Sequence, residues 1–339
     1  MAKSALLTII MYILLCIMCV CHGYSADTID VHIVCHSHTD AGWYLTYNSY
    51  YTSRVVGILN SVVNTLHSNS GYKFNWSDTS FLARWYEETD QSMRDKLHQL
   101  VKNGQFQFMG GGWVMNDESL TVYKNAFLNI QTGIDWIEET FNVRPKIGWQ
   151  IDPFGNSAVT PSMLSILGYE GIVLSRIGTT NDEVLEKSEN SEFIWEGADI
   201  DDKSDGQPIL AHHLVRSKYQ APVEFKYQDK SFAFWDHPKV KCSNINELKS
   251  NYRECVKFYY DEVLKPSLDG HRHNLVLSVF GDDFGFYNAD YSFKYIDAFM
   301  QMLRDHSEEV IGKKVKISYS TVNEYFDAVK TFKVPNSNR

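Results

Sequence analysis

Val31-His32-Ile33-Val34-Cys35-His36-Ser37-His38-Thr39-Asp40-Ala41-Gly42-Trp43 is the stretch on which the fold reading turns. Its first five residues are mostly apolar and β-branched, which predicts a short buried strand over 31–35. A polar turn carrying His38 and Asp40 follows at once. The helix after it shows Val55, Leu59, Val62 and Leu66 at helical spacing, and a second shows Met93, Leu97, Leu100 and Val101 before Gly104 stops it. Phe106 and Phe108 alternate with polar residues as a strand does. Residues 146–151, 171–175 and 275–280 read as further strands. Thr160 is expected to cap a helix with Pro161 at its start and Gly168 at its end. Thr321 and Glu324 spell a capping box. Strand then helix, repeated, predicts an α/β fold around a mainly parallel sheet, open or closed into a barrel. Residues 181–207 turn polar and acidic and read as a surface loop. There is no internal repeat and no composition break marking a second domain.

The chain has 339 residues and a net charge of −10, which argues against a nucleic-acid partner. With 44% apolar and 22% charged residues it can bury a core. Aromatics reach 14%, a surplus that suits a pocket stacking flat, half-polar rings such as sugars. Lys3, an apolar run over 5–21 and small residues near Gly23 to Ala26 are the layout of a secretory signal peptide, residues 1–25; an uncleaved anchor is the rival reading. No second apolar span follows, so no membrane contact is expected after cleavage. Outside the leader, Cys242 and Cys255 form the natural local pair, and Cys35 reads as a small buried hydrophobe. The sequon Asn75-Trp76-Ser77 lies in a strand-like run, which leaves a buried unmodified amide and a glycan both open.

Three carboxylate-bearing turns each follow a predicted strand: His38-Thr39-Asp40, Asp152-Pro153-Phe154-Gly155, and Asp282-Asp283-Phe284. Ligands of parallel α/β folds bind beyond the carboxyl ends of the strands, so the three converge on one rim. Each alone also fits a satisfied His, a turn-opening Asp or a plain turn. Together they supply what glycoside hydrolysis needs, an imidazole–carboxylate pair for a cation such as Zn²⁺ and two separated carboxyls. One attacks the anomeric carbon and the other protonates the leaving oxygen, about 5–5.5 Å apart in retaining enzymes.

At this point the sequence resembles the catalytic domain of the zinc-dependent α-mannosidases of glycoside hydrolase family 38, most of all the lysosomal branch, over about residues 31–330. His38-Thr39-Asp40-Ala41-Gly42-Trp43, the block from Gly111 to Glu118, and Ile151-Asp152-Pro153-Phe154-Gly155 carry the likeness. It implies a seven-stranded β/α barrel filling residues 26–339 and one Zn²⁺ held by His38, Asp40 and Asp152. Asp152 would double as nucleophile, and Asp283 would be the acid/base, with Asp282 beside it as substrate contact or alternative. Trp43 and Phe154 would line the mannose site, with Arg176 beside the nucleophile and Tyr219 on the sugar. The activity implied is retaining hydrolysis of terminal α-mannosyl residues of N-glycans or oligosaccharides, in the lysosome or outside the cell. Three departures stand out: Asn156 where the family usually has His, Gly285 where it commonly has Arg, and no His-His-Asp block for a fourth zinc ligand, since His212-His213 is followed by Leu214. A separate C-terminal fragment could supply that ligand. The departures also motivate two alternatives, a mannose-binding pseudoenzyme or inactive fragment. A metal-dependent carbohydrate deacetylase, in which metal-bound water attacks, is a third.

Overall fold

A computed structural model describes residues 27–197, 207–222, 225 and 242–332. Residues 1–25, expected as a leader, lie outside the described residues. Nine strands are described: β1 Thr28–Cys35, β2 Phe74–Trp76, β3 Phe106–Phe108, β4 Ile147–Gln150, β5 Gly171–Leu174, β6 Glu192–Trp195, β7 Ile209–His213, β8 Leu275–Phe280 and β9 Lys314–Tyr319. Helices intervene between most of them, so the α/β reading holds. β1 lies between β8 and β9, parallel to both; β2 pairs β3 in parallel; β4, β5 and β7 run parallel, with β6 antiparallel on the far side of β7.

Among the described residues the expected seven-stranded barrel is not confirmed. The strands fall into sheets of three, two and four, none of them closed. Two local features accompany this. β2 and β3 are three residues long; β2 meets the β1 side at the His36–Asn75 bridge, and just past β3 a Gly110 N–H···O Ile147 bond of 2.8 Å reaches β4. On the other side, β6 occupies the outer edge of β7, where a closed barrel would place a parallel partner. This β6 comes from the stretch read as a loop. That expectation is corrected: residues 181–207 contribute the end of a helix, Thr179–Lys187, and β6, while 198–206 lie outside the described residues.

Helices form where the apolar spacing asked for them. Val56–Ser68 buries Ile58, Leu59, Val62, Val63 and Leu66, and Gln91–Lys102 buries Met93, Leu97 and Leu100 after Asp90 caps it by accepting the Met93 N–H. The Thr321–Glu324 capping box is present in both directions. Thr160 is not a cap. Val159 holds that position, and the Thr160 hydroxyl instead donates to Glu118 at 2.6 Å. Between the sheets and the Val322–Val329 helix lies a core including Val34, Trp149, Ile151, Val173, Leu277 and Phe326, each such side chain contributing about 1.5–3 kcal/mol of burial. Cys242 and Cys255 are disulfide-bonded, and Cys35 is buried and free, both as expected. Asn75 is fully buried. Its amide donates to the Cys35 carbonyl at 3.2 Å and accepts from the Val322 N–H at 3.0 Å, so the side chain is enclosed and hydrogen-bonded on both sides. No helix among the described residues is long and apolar enough to cross a membrane.

Candidate active site

The β1–β8 ladder runs on past both strands. The His36 N–H bonds the Phe280 carbonyl at 2.9 Å, the His38 N–H bonds the Asp282 carbonyl at 3.1 Å, and the Phe284 N–H returns to the His38 carbonyl at 2.7 Å. His38 and Asp283 therefore sit opposite each other at one rim, although far apart in sequence. Gly281 makes the approach possible, because a Cβ there would fall 2.2 Å from the His36 ring. The buried His36 bonds the Tyr219 carbonyl through Nε2 at 2.7 Å, and the Tyr219 hydroxyl donates to Asp283 Oδ1 at 3.0 Å.

The second half of the site comes from β4 and β5. Their register pairs Gln150 with Leu174, so Asp152 and Arg176, each two residues on, leave neighbouring strands side by side. The Arg176 guanidinium grips Asp152 Oδ1 through Nε at 2.7 Å and Nη2 at 2.6 Å. The other oxygen of Asp152 faces His38 Nε2 at 3.5 Å, and the same nitrogen faces Asp40 Oδ1 at 3.1 Å. One N–H can point at one acceptor only, so this convergence of two carboxylate oxygens on one imidazole nitrogen is what a cation relieves. One donor atom from each of His38, Asp40 and Asp152 lies within 4.8 Å of the other two, and a nitrogen with two carboxylate oxygens suits a divalent metal ion.

Electrostatics separate the carboxyls. Burial works against ionisation of Asp152, but the hydrogen bond and charge of His38, together with Arg176, outweigh it and hold the carboxyl below its usual range. Burial would likewise lower His38, yet bonds to Asp152 and Asp40 lift it well above the ordinary imidazole value. Asp283 moves the opposite way to Asp152, raised first by burial and then by the charges of Asp40 and Asp152. Asp282 is pushed up to about 6, chiefly by burial.

These groups open onto a cleft of about 410 Å³, lined among others by Trp43, Phe154, Tyr219 and Asp283. Trp43 is 60% and Phe154 63% exposed, and the Arg176 guanidinium lies 4.9 Å from the Phe154 ring centre. Gly42, at φ +129°, lets the chain turn just before Trp43. Of the nine site residues expected from the sequence, eight line this cleft; Asp282 does not, and its Oδ1 accepts the N–H of Asp283 instead.

The sequence matches the family described as "Glycosyl hydrolases family 38 N-terminal domain" over residues 28–336. The chain belongs to this family. It is 32% identical over 324 residues to alpha-mannosidase C of Dictyostelium discoideum, covering 89% of this chain and 29% of that protein. With alpha-mannosidase 2 of Drosophila melanogaster the identity is 29%, over 89% of this chain and 28% of the relative. The chain thus spans about three-tenths of the length of the curated relatives it matches. The crystal structure of an alpha-mannosidase from Enterococcus faecalis V583 superposes with a TM-score of 0.63 at 17% identity, covering 91% of this chain and 30% of that one, a likeness of fold.

Within this family 38 domain the structure adds two residues that sequence reasoning missed. Asp78 is buried at the cleft wall and accepts from Thr39 at 3.0 Å and Ser77 at 2.8 Å, fixing the residue between His38 and Asp40. Its signal was available, since it too is a carboxylate just past a strand. Glu118 accepts the Ser157 N–H and the Thr160 hydroxyl, each at 2.6 Å, and so anchors the loop that follows Asp152. Nothing local in the sequence marks that role, because its partners lie across the fold.

Proposed function

We propose that this domain carries the active site of a zinc-dependent retaining α-mannosidase acting on terminal α-mannosyl residues of N-glycans or oligosaccharides. The observation that carries the reading is the convergence on one cleft of donor atoms from His38, Asp40 and Asp152, with Asp283 opposite His38. The electrostatics agree with it, lowering Asp152 and raising Asp283. Asp152 attacks the anomeric carbon while Asp283 hands its proton to the departing oxygen, leaving a mannosyl ester on Asp152. Asp283 then takes a proton from the water that hydrolyses this ester and returns to its starting state. Arg176 keeps Asp152 anionic and aimed, and the Tyr219 hydroxyl fixes one oxygen of Asp283. Trp43 and Phe154 offer exposed ring faces to the sugar. Zinc held by His38, Asp40 and Asp152 would supply positive charge at the sugar hydroxyls and beside the nucleophile. Those three residues would leave room for a further ligand, which a C-terminal fragment would supply. A secretory route to the lysosome or the cell exterior is supported by the leader-like residues 1–25, by the disulfide, and by a relative named lysosomal alpha-mannosidase in Dictyostelium discoideum.

The test is chemical trapping. Zinc-loaded protein incubated with a 2-deoxy-2-fluoro-α-mannosyl reagent carrying a good leaving group gains one fluoromannosyl mass, located on the peptide holding Asp152. Label on another residue, or none from a folded, zinc-bearing chain, overturns the assignment.

A further inference from the structure

Away from the cleft, a second constellation of ionisable side chains is sealed inside the fold. Glu192 opens β6, His212 lies opposite it on β7, and His271 and His273 sit on the segment entering β8. The Glu192 side chain is 5% exposed, that of His212 2%, and His271 4%. Three donors converge on the carboxylate: His212 Nδ1 at 2.7 Å and the Tyr325 hydroxyl at 2.6 Å on one oxygen, His273 Nε2 at 2.5 Å on the other. The His273 tautomer is fixed, because its Nδ1 accepts the Leu275 N–H at 3.2 Å and Nε2 must carry the proton. His271 is the anomaly. It packs against His212 and His273, with ring centres 5.1 and 5.4 Å away, yet neither of its nitrogens has a hydrogen-bond partner among the described residues. A fully enclosed imidazole with two orphaned nitrogens is costly unless something absent from the protein atoms satisfies one of them.

We propose that Glu192, His212 and His271 form an enclosed divalent-metal site of the zinc class, independent of the cleft, that pins β6 and β7 to the segment entering β8. One donor atom from each lies within 4.8 Å of the others, all three residues are buried, and two imidazoles with one carboxylate are a donor set that borderline cations prefer. The place explains the use. β7 and β8 are not paired as strands, and the backbone nearby is joined by a Ser191 N–H···O Gly270 bond of 3.0 Å. A metal ion would fasten this seam, a structural task rather than a catalytic one, since nothing there is open to substrate.

The experiment separates this site from the cleft. The full chain carrying Asp40→Ala and Asp152→Ala is stripped with chelator, dialysed against zinc chloride and analysed for bound metal and melting temperature. One zinc per chain and a rise of several degrees are expected, both lost when His271→Gln is added. A folded double variant that retains no zinc overturns the proposal whatever the cleft does. Should the variants fail to fold, zinc-edge anomalous diffraction from the unmutated chain decides. A peak among Glu192, His212 and His271 supports the site, and density without anomalous signal, a buried water, overturns it.

Discussion

Two groups of His and carboxylate side chains share this domain and differ in one respect, access to solvent. At the rim, His38 is buried but Asp40 and Asp152 remain 23% exposed and face a cleft. In the interior, Glu192, His212 and His273 are all at or below 5%. The residue types are the same, and so are the short imidazole–carboxylate contacts. What differs is whether a reacting molecule can reach them. The rim keeps one carboxyl low and another high, which is the division of labour that acid–base and nucleophilic chemistry requires. The interior group surrounds a single carboxylate with donors and offers no partner to a substrate. Exposure, more than composition, separates chemistry from architecture here.

The sharpest way to break that contrast is Asp152→Asn. If the rim is catalytic, turnover of an aryl α-mannoside should fall by about a thousandfold or more, with only a few degrees lost in melting temperature. An activity loss matched by global unfolding would instead make Asp152 a structural residue like Glu192. Next in size is Asp283→Asn. It should slow substrates with poor leaving groups about a hundredfold or more and spare those with activated aryl leaving groups, which need little proton assistance. It should also remove the alkaline limb of the pH–rate profile, since activity in the unmutated chain declines as pH rises through the raised Asp283 pKa. Equal losses on both substrate types, with the alkaline limb kept, would take the acid role away from Asp283. Tyr325→Phe probes the other side of the comparison. It withdraws one hydrogen bond from a buried carboxylate, so about 1.5–3 kcal/mol of stability should go, read by denaturant titration, while kcat at saturating substrate stays within a factor of two.

The same contrast governs what could be read from sequence. The rim is legible because each of its acids follows an apolar run: β1 before Asp40, β4 before Asp152, β8 before Asp283. An apolar run predicts a strand, and a polar residue just past it predicts a position at the strand mouth. Asp78 obeys the same rule, two residues past β2. β9 alternates exposed lysines with buried Val315 and Ile317, the period-two pattern of a half-buried strand. β6 and the interior group were not legible in the same way. Glu192 begins a four-residue edge strand after an acidic stretch, and nothing in its own neighbourhood announces that His212, His273 and Tyr325 will surround it. Only antiparallel pairing with β7 brings it inside. That pairing also makes β6 the antiparallel edge of the four-stranded sheet among the described residues.

Asp282 sits between the two regimes and gives the smallest effect and the finest test. It stands beside the catalytic candidate yet is turned away from the cleft, so its carboxyl behaves as an interior group. Burial lifts its pKa to about 6 in the folded chain, whereas an unfolded Asp titrates near 4. Between those values the folded state holds a proton that the unfolded state has released. Stability from this group is therefore full below about pH 4 and is lost as pH rises through 6, by at most about 2 kcal/mol once partial solvation is allowed for. Asp282→Asn removes the titration. The metal-free variant should match the unmutated chain at pH 4 and melt a few degrees higher at pH 7.5, in parallel thermal scans. A gain of the same size at both pH values would mean that Asp282 is ionised throughout and belongs with the solvent-facing acids of the rim.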